Sequence, residues 1–361
     1  MDGIVVPVDR PVQNGAMDPN LKFDGFVTLN SDLNNPIRSI ANLLFIKDKL
    51  IVLDNETDFH HIHVFDANSG IYLYNIGKIT ETNDPRNGIK GISDVAYNPT
   101  NNEIRILSRG HLSFSDYDLA GNFLRSIPIG AFGDHLAYLS PNEWVVYNEL
   151  TSTEITGLNY LLFYNNQGDL LKRSMAYNTN QDNIGYQFTG FLRRSGDNIW
   201  FSPPFSDTIF LIENQKASPT YSLQLGANAL PVNLRASHVN GNDLLDATYL
   251  DEGLFANGRF LVFTFQRSRK MLLGIYDAEQ NVFFDSENSD KSKPINQLLR
   301  AGKVFTKNSH TFALVLTPYQ IQRFMTKFDR SEWEKLAPGL FDRAEQKIPD
   351  DQWYVLYFSF K

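Results

Sequence analysis

The sequence predicts an all-β fold: a six-bladed β-propeller of four-stranded antiparallel blades, with an N-terminal strand closing the last blade and a small helical insertion in blade six. Three observations carry the prediction. A short apolar strand recurs six times along the 361 residues, a polar turn precedes each copy, and the two chain ends hold complementary parts of one blade. Repetition at a period of some tens of residues marks blades or arrays.

The recurring strands are Lys49–Asp54 (KLIVLD), Glu103–Ser108 (EIRILS), Glu143–Asn148 (EWVVYN), Asn198–Pro203 (NIWFSP), Arg259–Thr264 (RFLVFT) and Thr311–Leu316 (TFALVL). Their starts lie 40 to 61 residues apart, room for the four strands of a blade. The turns before them, at 47–48 (KD), 99–102 (PTNN), 141–142 (PN), 195–197 (SGD), 257–258 (NG) and 307–309 (KNS), have the chemistry of tight hairpins. A second hairpin follows in most repeats, where an aromatic residue ends one strand and a polar turn reverses the chain. These are Phe65–Gly70 (FDANSG), Tyr117–Gly121 (YDLAG), Tyr164–Gly168 (YNNQG) and Tyr276–Gln280 (YDAEQ). An aromatic share of 13%, with 27 Phe and 16 Tyr, suits half-buried pleated surfaces and supports strands throughout.

The last repeat is short of one strand. Residues near 302–305, 311–316 and 353–358 supply three strands, and Gly25–Leu29 (GFVTL) from the other end of the chain supplies the fourth. Residues 1–22 then form an extended N-terminal segment and 23–361 the propeller. One stretch departs from the strand pattern. Between about 317 and 347, Ile321, Phe324, Met325 and Phe328 fall at helical spacing, and Ser331–Glu334 (SEWE) has capping-box form. A helical insertion between the second and third strands of blade six, plugging one end of the propeller, is expected there.

A net charge of −8, with no basic run denser than Arg267–Lys270 (RSRK), argues against nucleic acid as a partner. The absence of cysteine excludes disulfides, thiolate zinc sites and cysteine nucleophiles. No apolar stretch approaches the ~18 residues of a transmembrane helix. Gly-x-Ser-x-Gly, phosphate-binding glycine loops and His-Glu-x-x-His are missing, so no catalytic motif is legible.

The pattern around Phe26–Leu29 (FVTL), Leu50–Asp54 (LIVLD), His63–Asp66 (HVFD) with Gly70, and Ile92–Asn98 (ISDVAYN) leading to Tyr117–Phe123 (YDLAGNF) resembles a known group. These are the six-bladed β-propeller proteins abundant in Bacteroidetes, often lipoproteins and distantly similar to NHL-repeat propellers. The likeness covers most of the chain, is strongest over the first ~130 residues, and rests on structural rather than catalytic motifs. Where members carry a Gly-Pro-Gly-Glu-type turn after the first blade, residues 77–88 here read GKITETNDPRNG, longer and more polar. The resemblance implies an exported protein, periplasmic or on the surface of a Gram-negative bacterium, lipid-anchored through a cysteine upstream of residue 1. It implies no particular activity.

In a propeller, the second-to-third and fourth-to-first connections emerge on one face. The longest loops read from the sequence, at 54–61, 78–91, 149–159, 177–186, 227–245 and 286–300, belong to those classes. Function gathers on long loops held by a rigid scaffold. That face is therefore the expected site for a glycan, peptide or protein ligand, in a non-catalytic binding or scaffold module that needs no cofactor. The candidate ligand-binding residues are Arg38, Asp94, Asp134, His135 and Asp246, polar groups where the inner strands begin. Tyr160, Tyr186 and Phe205 join them as exposed aromatics suited to stacking on sugar rings. The alternative is a Ca²⁺-dependent lactonase or hydrolase at the channel mouth, with Asp94, Asp134 and Asp246 as oxygen ligands; without a metal, Arg38 and Lys303 would neutralise these carboxylates. His61 and His63 share one side of a strand, but no third zinc ligand accompanies them, and a surface-strand role is expected. Trp144 and Trp200, on the recurring strands, are expected in the core.

Overall fold

The computed structural model describes residues 3–13, 20–30, 36–56, 59–78, 84, 86, 88–148, 153–176, 190–229, 246–300, 302–345 and 352–361. Strands β1 (Ile4–Val6) and β2 (Leu21–Leu29) come first. Blade one is β3 (Ile40–Ile46), β4 (Lys49–Glu56), β5 (Phe59–Asp66) and β6 (Tyr72–Asn75). Blade two is β7 (Ile92–Asn98), β8 (Glu103–Ser108), β9 (Ser113–Asp118) and β10 (Phe123–Pro128). Blade three is β11 (His135–Ser140), β12 (Glu143–Tyr147), β13 (Asn159–Asn165) and β14 (Leu170–Ala176). Blade four is β15 (Phe191–Ser195), β16 (Asn198–Ser202), β17 (Thr208–Glu213) and β18 (Lys216–Leu223). Blade five is β19 (Tyr249–Ala256), β20 (Phe260–Arg267), β21 (Lys270–Asp277) and β22 (Val282–Asp285). Blade six is β23 (Lys303–Thr306), β24 (Thr311–Leu316), β25 (Trp353–Phe360) and β2.

The first strands of the six blades touch in cyclic order, β3 to β7, β11, β15, β19, β23 and back to β3, which places them around the central channel. The ring is closed by β2, antiparallel to β25 from Leu21 opposite Phe360 to Leu29 opposite Trp353. A closed ring of blades leaves only short outer edges.

Blades pack face to face, so their middle strands are covered on both sides. In β4, Leu50 and Val52 turn toward blade six, while Ile51 and Leu53 turn toward blade two. This is why the recurring strands read as unbroken apolar runs rather than alternating ones. Trp144 and Trp200 are buried in this packing, as expected. Phe260 of blade five stacks on Phe360 of blade six with centroids 3.8 Å apart.

The second hairpins are built alike. Asp66 accepts from the Asn68 and Ser69 amides, Asp118 from those of Ala120 and Asn122, Asn165 from those of Gln167 and Asp169, and Asp277 from those of Glu279 and Gln280. Three of these turns end in a glycine at positive φ, and in two of them a Cβ would strike the outer strand of the preceding blade. At Gly70 it would lie 1.9 Å from the Thr28 carbonyl oxygen, and at Gly168 2.5 Å from that of Pro128. The repeat motif is thus an inter-blade contact as well as a turn.

The N-terminal segment does more than extend. β1 pairs in parallel with β18 and makes blade four five-stranded. The Asp9 amide then donates to the Gln224 carbonyl (2.8 Å), Arg267 Nη2 to the Val8 carbonyl (2.7 Å), and the Val12 amide to the Phe283 carbonyl (2.8 Å). Residues 3–12 therefore strap blade four to blade five.

The insertion in blade six holds α2 (Pro318–Met325), α3 (Arg330–Leu336) and α4 (Leu340–Glu345), after an earlier helix α1 (Pro294–Leu298) in the connection from blade five. Ile321, Phe324, Trp333 and Leu340 are buried together with the apolar cluster between blades five and six, so the insertion packs against those two blades. The capping box forms two residues earlier than Ser331, with Asp329 accepting from the Glu332 amide and Glu332 returning to the Asp329 amide. Both DRSE and SEWE fit the pattern; Ser331 is used instead to donate to Asp329 (2.7 Å). α1 carries no apolar repeat long enough to be read from sequence. Residues 54–61, expected as a loop, are mostly strand, since β4 runs to Glu56 and β5 starts at Phe59. His63 is fully buried rather than on a surface strand, its Nε2 3.8 Å from the buried Asp54 carboxylate. The strand that carries it lies inside a blade covered on both faces.

Candidate binding site in the central channel

A cavity of 280 Å³ lies in the channel among the first strands. Its lining begins at Asn42, Val95, Leu136 and Leu192, partway along β3, β7, β11 and β15, and runs out to the first hairpin turns at Pro99, Gly196 and Asn308. The cavity therefore faces the short first-hairpin turns, opposite the long connections where a site was expected. Much of the long-connection face, including 31–35, 79–83, 149–152, 177–189 and 230–245, lies outside the described residues.

A hydrogen-bond network across four blades forms the inner end of this cavity. Asp94 of blade two is buried, and its Oδ1 accepts from Asn42 Nδ2 of blade one (2.7 Å) and from the Val95 amide (2.8 Å). Its Oδ2 accepts from the Leu136 amide of blade three (3.0 Å) and faces His135 Nδ1 at 3.3 Å. Arg193 of blade four brings Nη1 within 3.8 Å of the same oxygen. Inner-edge amides have no further strand to pair with; Asn42 and Asp94 supply the missing acceptors, since the Leu43 amide donates to Asn42 Oδ1 (2.8 Å) as the Val95 amide does to Asp94. Burial alone would raise the Asp94 pKa, but the His135 bond, the His135 and Arg193 charges and the Leu136 amide together hold it below the usual carboxylate range.

His135 Nδ1 lies 3.3 Å from both Asp94 Oδ2 and Arg193 Nη1. One ring nitrogen cannot donate to the first and accept from the second. The carboxylate charge makes Nδ1–H the donor toward Asp94. Nε2 is buried and without a hydrogen bond, while the ring stacks on Tyr147 (5.8 Å, 8°).

The structure unites only part of the sequence-predicted set. Asp94 and His135 meet in the network. Asp134 instead accepts from Arg109 Nη2 at 2.9 Å, and Asp246 faces Arg269 Nε at 3.2 Å on the surface. The three carboxylates proposed for Ca²⁺ are thus engaged by separate cations, and no group of three or more metal-ligating side chains forms among the described residues. Arg38 is exposed, and its backbone amide donates to Asp54 Oδ2 (2.8 Å). Tyr160 and Phe205 are buried rather than exposed: Tyr160, inside β13, packs on Tyr147 and Phe201, and Phe205, in the turn between β16 and β17, packs on Tyr249, because inter-blade packing covers the strand and reaches that turn. Tyr186 lies outside the described residues.

Sequence reading passed over Asn42, Arg193, Arg194 and Lys307. A signal existed for the first. Ile40-Ala-Asn42-Leu and Ile92-Ser-Asp94-Val hold a polar residue at the same step of the first strand, and both strands shift register just before it. The cations carry no pattern, since what joins them is ring closure between distant blades.

The outer cavity is cationic and aromatic. Phe45, Tyr97, Tyr138 and Phe305 contribute to its wall, Arg194 and Lys307 lie near its mouth, and no Asp or Glu is among its lining residues. Lys307 Nζ sits 3.6 Å from the Tyr357 ring centroid. Arg194 donates to the Gly196 carbonyl (3.0 Å) and the Tyr138 carbonyl (3.2 Å).

Fold and cavity together define a six-bladed β-propeller with a small polar-ended channel pocket. The chain belongs to the family described as Domain of unknown function (DUF4934), whose model matches residues 26–345. A presumed exported protein of Bacteroides fragilis shares the fold at 14% identity over 99% of each chain, with a TM-score of 0.75. A member of the DUF4221 family from Bacteroides vulgatus aligns at 9% identity over 94% of this chain and 98% of its own, with a TM-score of 0.59. No curated protein matches significantly in sequence. No helix among the described residues is long and apolar enough to cross a membrane.

Proposed function

We propose that this chain is an exported, non-catalytic binding propeller whose ligand enters the channel from the first-hairpin face. The carrying observation is the 280 Å³ cavity, walled by aromatic side chains and ended by a fixed polar network. Concave, mostly apolar sites with a few placed polar groups are the usual form of small-molecule pockets. A space of this size fits a small molecule or one protruding group of a larger ligand. Export is supported by the likeness to the Bacteroides fragilis protein along the full chain. The binding reading is favoured over hydrolysis because Asp94, the carboxylate at the cavity end, is already engaged by Asn42, two amides and His135.

The test is a thermal-shift screen of cavity-sized fragments on the wild type and on Thr306→Trp, which fills the channel from blade six. Fragments that raise the wild-type midpoint and leave the folded variant unmoved are expected. Equal shifts in both proteins, or none in the wild type, would overturn the assignment of the site.

A further inference from the structure

We infer that the channel cavity selects small anions, specifically carboxylates carried on a flat or aliphatic body; this rests on the assignment of the cavity as the binding site. Charge distribution makes the first argument. The whole chain carries −8, yet the cavity lining contains Arg193, Arg194 and Lys307 and no acidic residue, the Asp94 carboxylate behind its inner end being buried and faced by Arg193. A cationic pocket in an anionic protein focuses its field on one sign of ligand.

The three cations are not equivalent. Arg193 faces Asp94 at 3.8 Å, and Arg194 is fixed by two backbone carbonyls with Asp197 3.8 Å away in open solvent. Lys307 has no ion pair among the described residues. Its ammonium is half-buried against the Tyr357 ring (3.6 Å) and farther from Phe45 (6.0 Å). Burial pulls its pKa below the usual lysine range, with only the Asp24 charge opposing. A cation held this way gains from an incoming anion, which replaces the hydration it has lost.

Deeper in the same channel, Asp94 already displays the preference. Its carboxylate is gripped by two inner-edge amides, an Asn amide and an imidazole. At the opposite end of the cavity Lys307, a lining residue, carries an ammonium set over the Tyr357 ring, with Asp24 the acidic group acting on it. Lysine is a point charge without the planar fork that favours bidentate partners, so a single carboxylate beside the ring faces of Phe45, Tyr97 and Tyr138 is the matching ligand.

The experiment titrates the protein calorimetrically with carboxylate, alcohol and primary-amine derivatives of naphthalene, indole and octane, then repeats the series on Lys307→Met and Lys307→Arg. The expected result is a carboxylate preference of at least tenfold over the alcohol on one or more bodies. Lys307→Met should remove the preference while leaving alcohol binding in place, and Lys307→Arg should retain most of it. Alcohols or amines binding as tightly as the acids would overturn the inference and leave the site standing. A preference that survives in Lys307→Met would overturn it in the same way. Binding by none of the nine compounds would also reject it, and the fragment screen on Thr306→Trp then decides whether the cavity binds anything.

Discussion

Asp94 is the residue on which the inner ring turns. It collects donors from blades one, two and three, and faces Arg193 of blade four. Replacing it by Asn keeps the shape and removes the charge that orients His135 and Arg193. Breaking one partner of a buried charge network costs roughly 3 to 5 kcal/mol, and Asp94→Asn should lose about 3 kcal/mol in denaturant unfolding at pH 7. The pH dependence follows from the lowered pKa. An unfolded aspartate titrates near 3.9, so the stability Asp94 adds is complete above about pH 4 and fades as pH falls through its lower folded value. The gap between wild type and Asp94→Asn should therefore narrow on acidification. A gap that is constant from pH 7 to 3 would show that the charge is not what matters. Asp94 was legible in the sequence as a polar residue starting an inner strand. Of its partners, His135 was read with it as a polar start of an inner strand, whereas Asn42 and Arg193 were not, because they lie in distant blades and meet it only through ring closure.

At the scale of elements, the hairpin motif read as an aromatic, an acid or amide and a glycine proves to join neighbouring blades. Gly70→Ala asks for a left-handed backbone from alanine, which costs roughly 1 to 2 kcal/mol, and drives its Cβ into the Thr28 carbonyl. A loss of more than about 2 kcal/mol is expected, whereas Gly258→Ala, also at positive φ but with open space around it, should lose only the backbone part. Equal losses would refute the contact. The strands were legible because a middle strand covered on both faces leaves a run of β-branched and aromatic residues. The helical insertion was legible from Ile321, Phe324 and Phe328, while α1, five residues long, was not. The burial of Tyr160, Phe205 and His63 was also hidden: loop aromatics and a paired His motif look exposed until the adjacent blade is placed over them.

For the whole molecule, β2 and the strap formed by residues 3–12 hold blades four to six together. β2 buries Leu21, Val27 and Leu29, about 6 kcal/mol at ~2 kcal/mol for each side chain. Deleting residues 1–29 should lower the unfolding free energy by at least that much and expose the edge of β25 to association, seen as higher-order species in light scattering. Deleting only residues 1–13 leaves the ring closed and should cost clearly less. Similar behaviour of the two deletions would deny β2 its closing role. Ring closure was foreseen by counting strands in the last repeat. The parallel strand β1 was not, since Ile4–Val6 gives three residues of pattern and no turn to set its partner. The cavity on the first-hairpin side was not legible for a related reason: loop length is visible in a sequence, whereas a channel lining assembled from six separate strands is not.

The most direct measurement of the central claim is a crystal structure of the full chain grown with the tightest-binding carboxylate from the titration series. The expected density lies in the channel on the first-hairpin side, its carboxylate within hydrogen-bonding distance of Lys307 Nζ and its body against Phe45, Tyr97 and Tyr138. Density on the long-connection face, with the channel free of ligand, would contradict the site and its charge preference together.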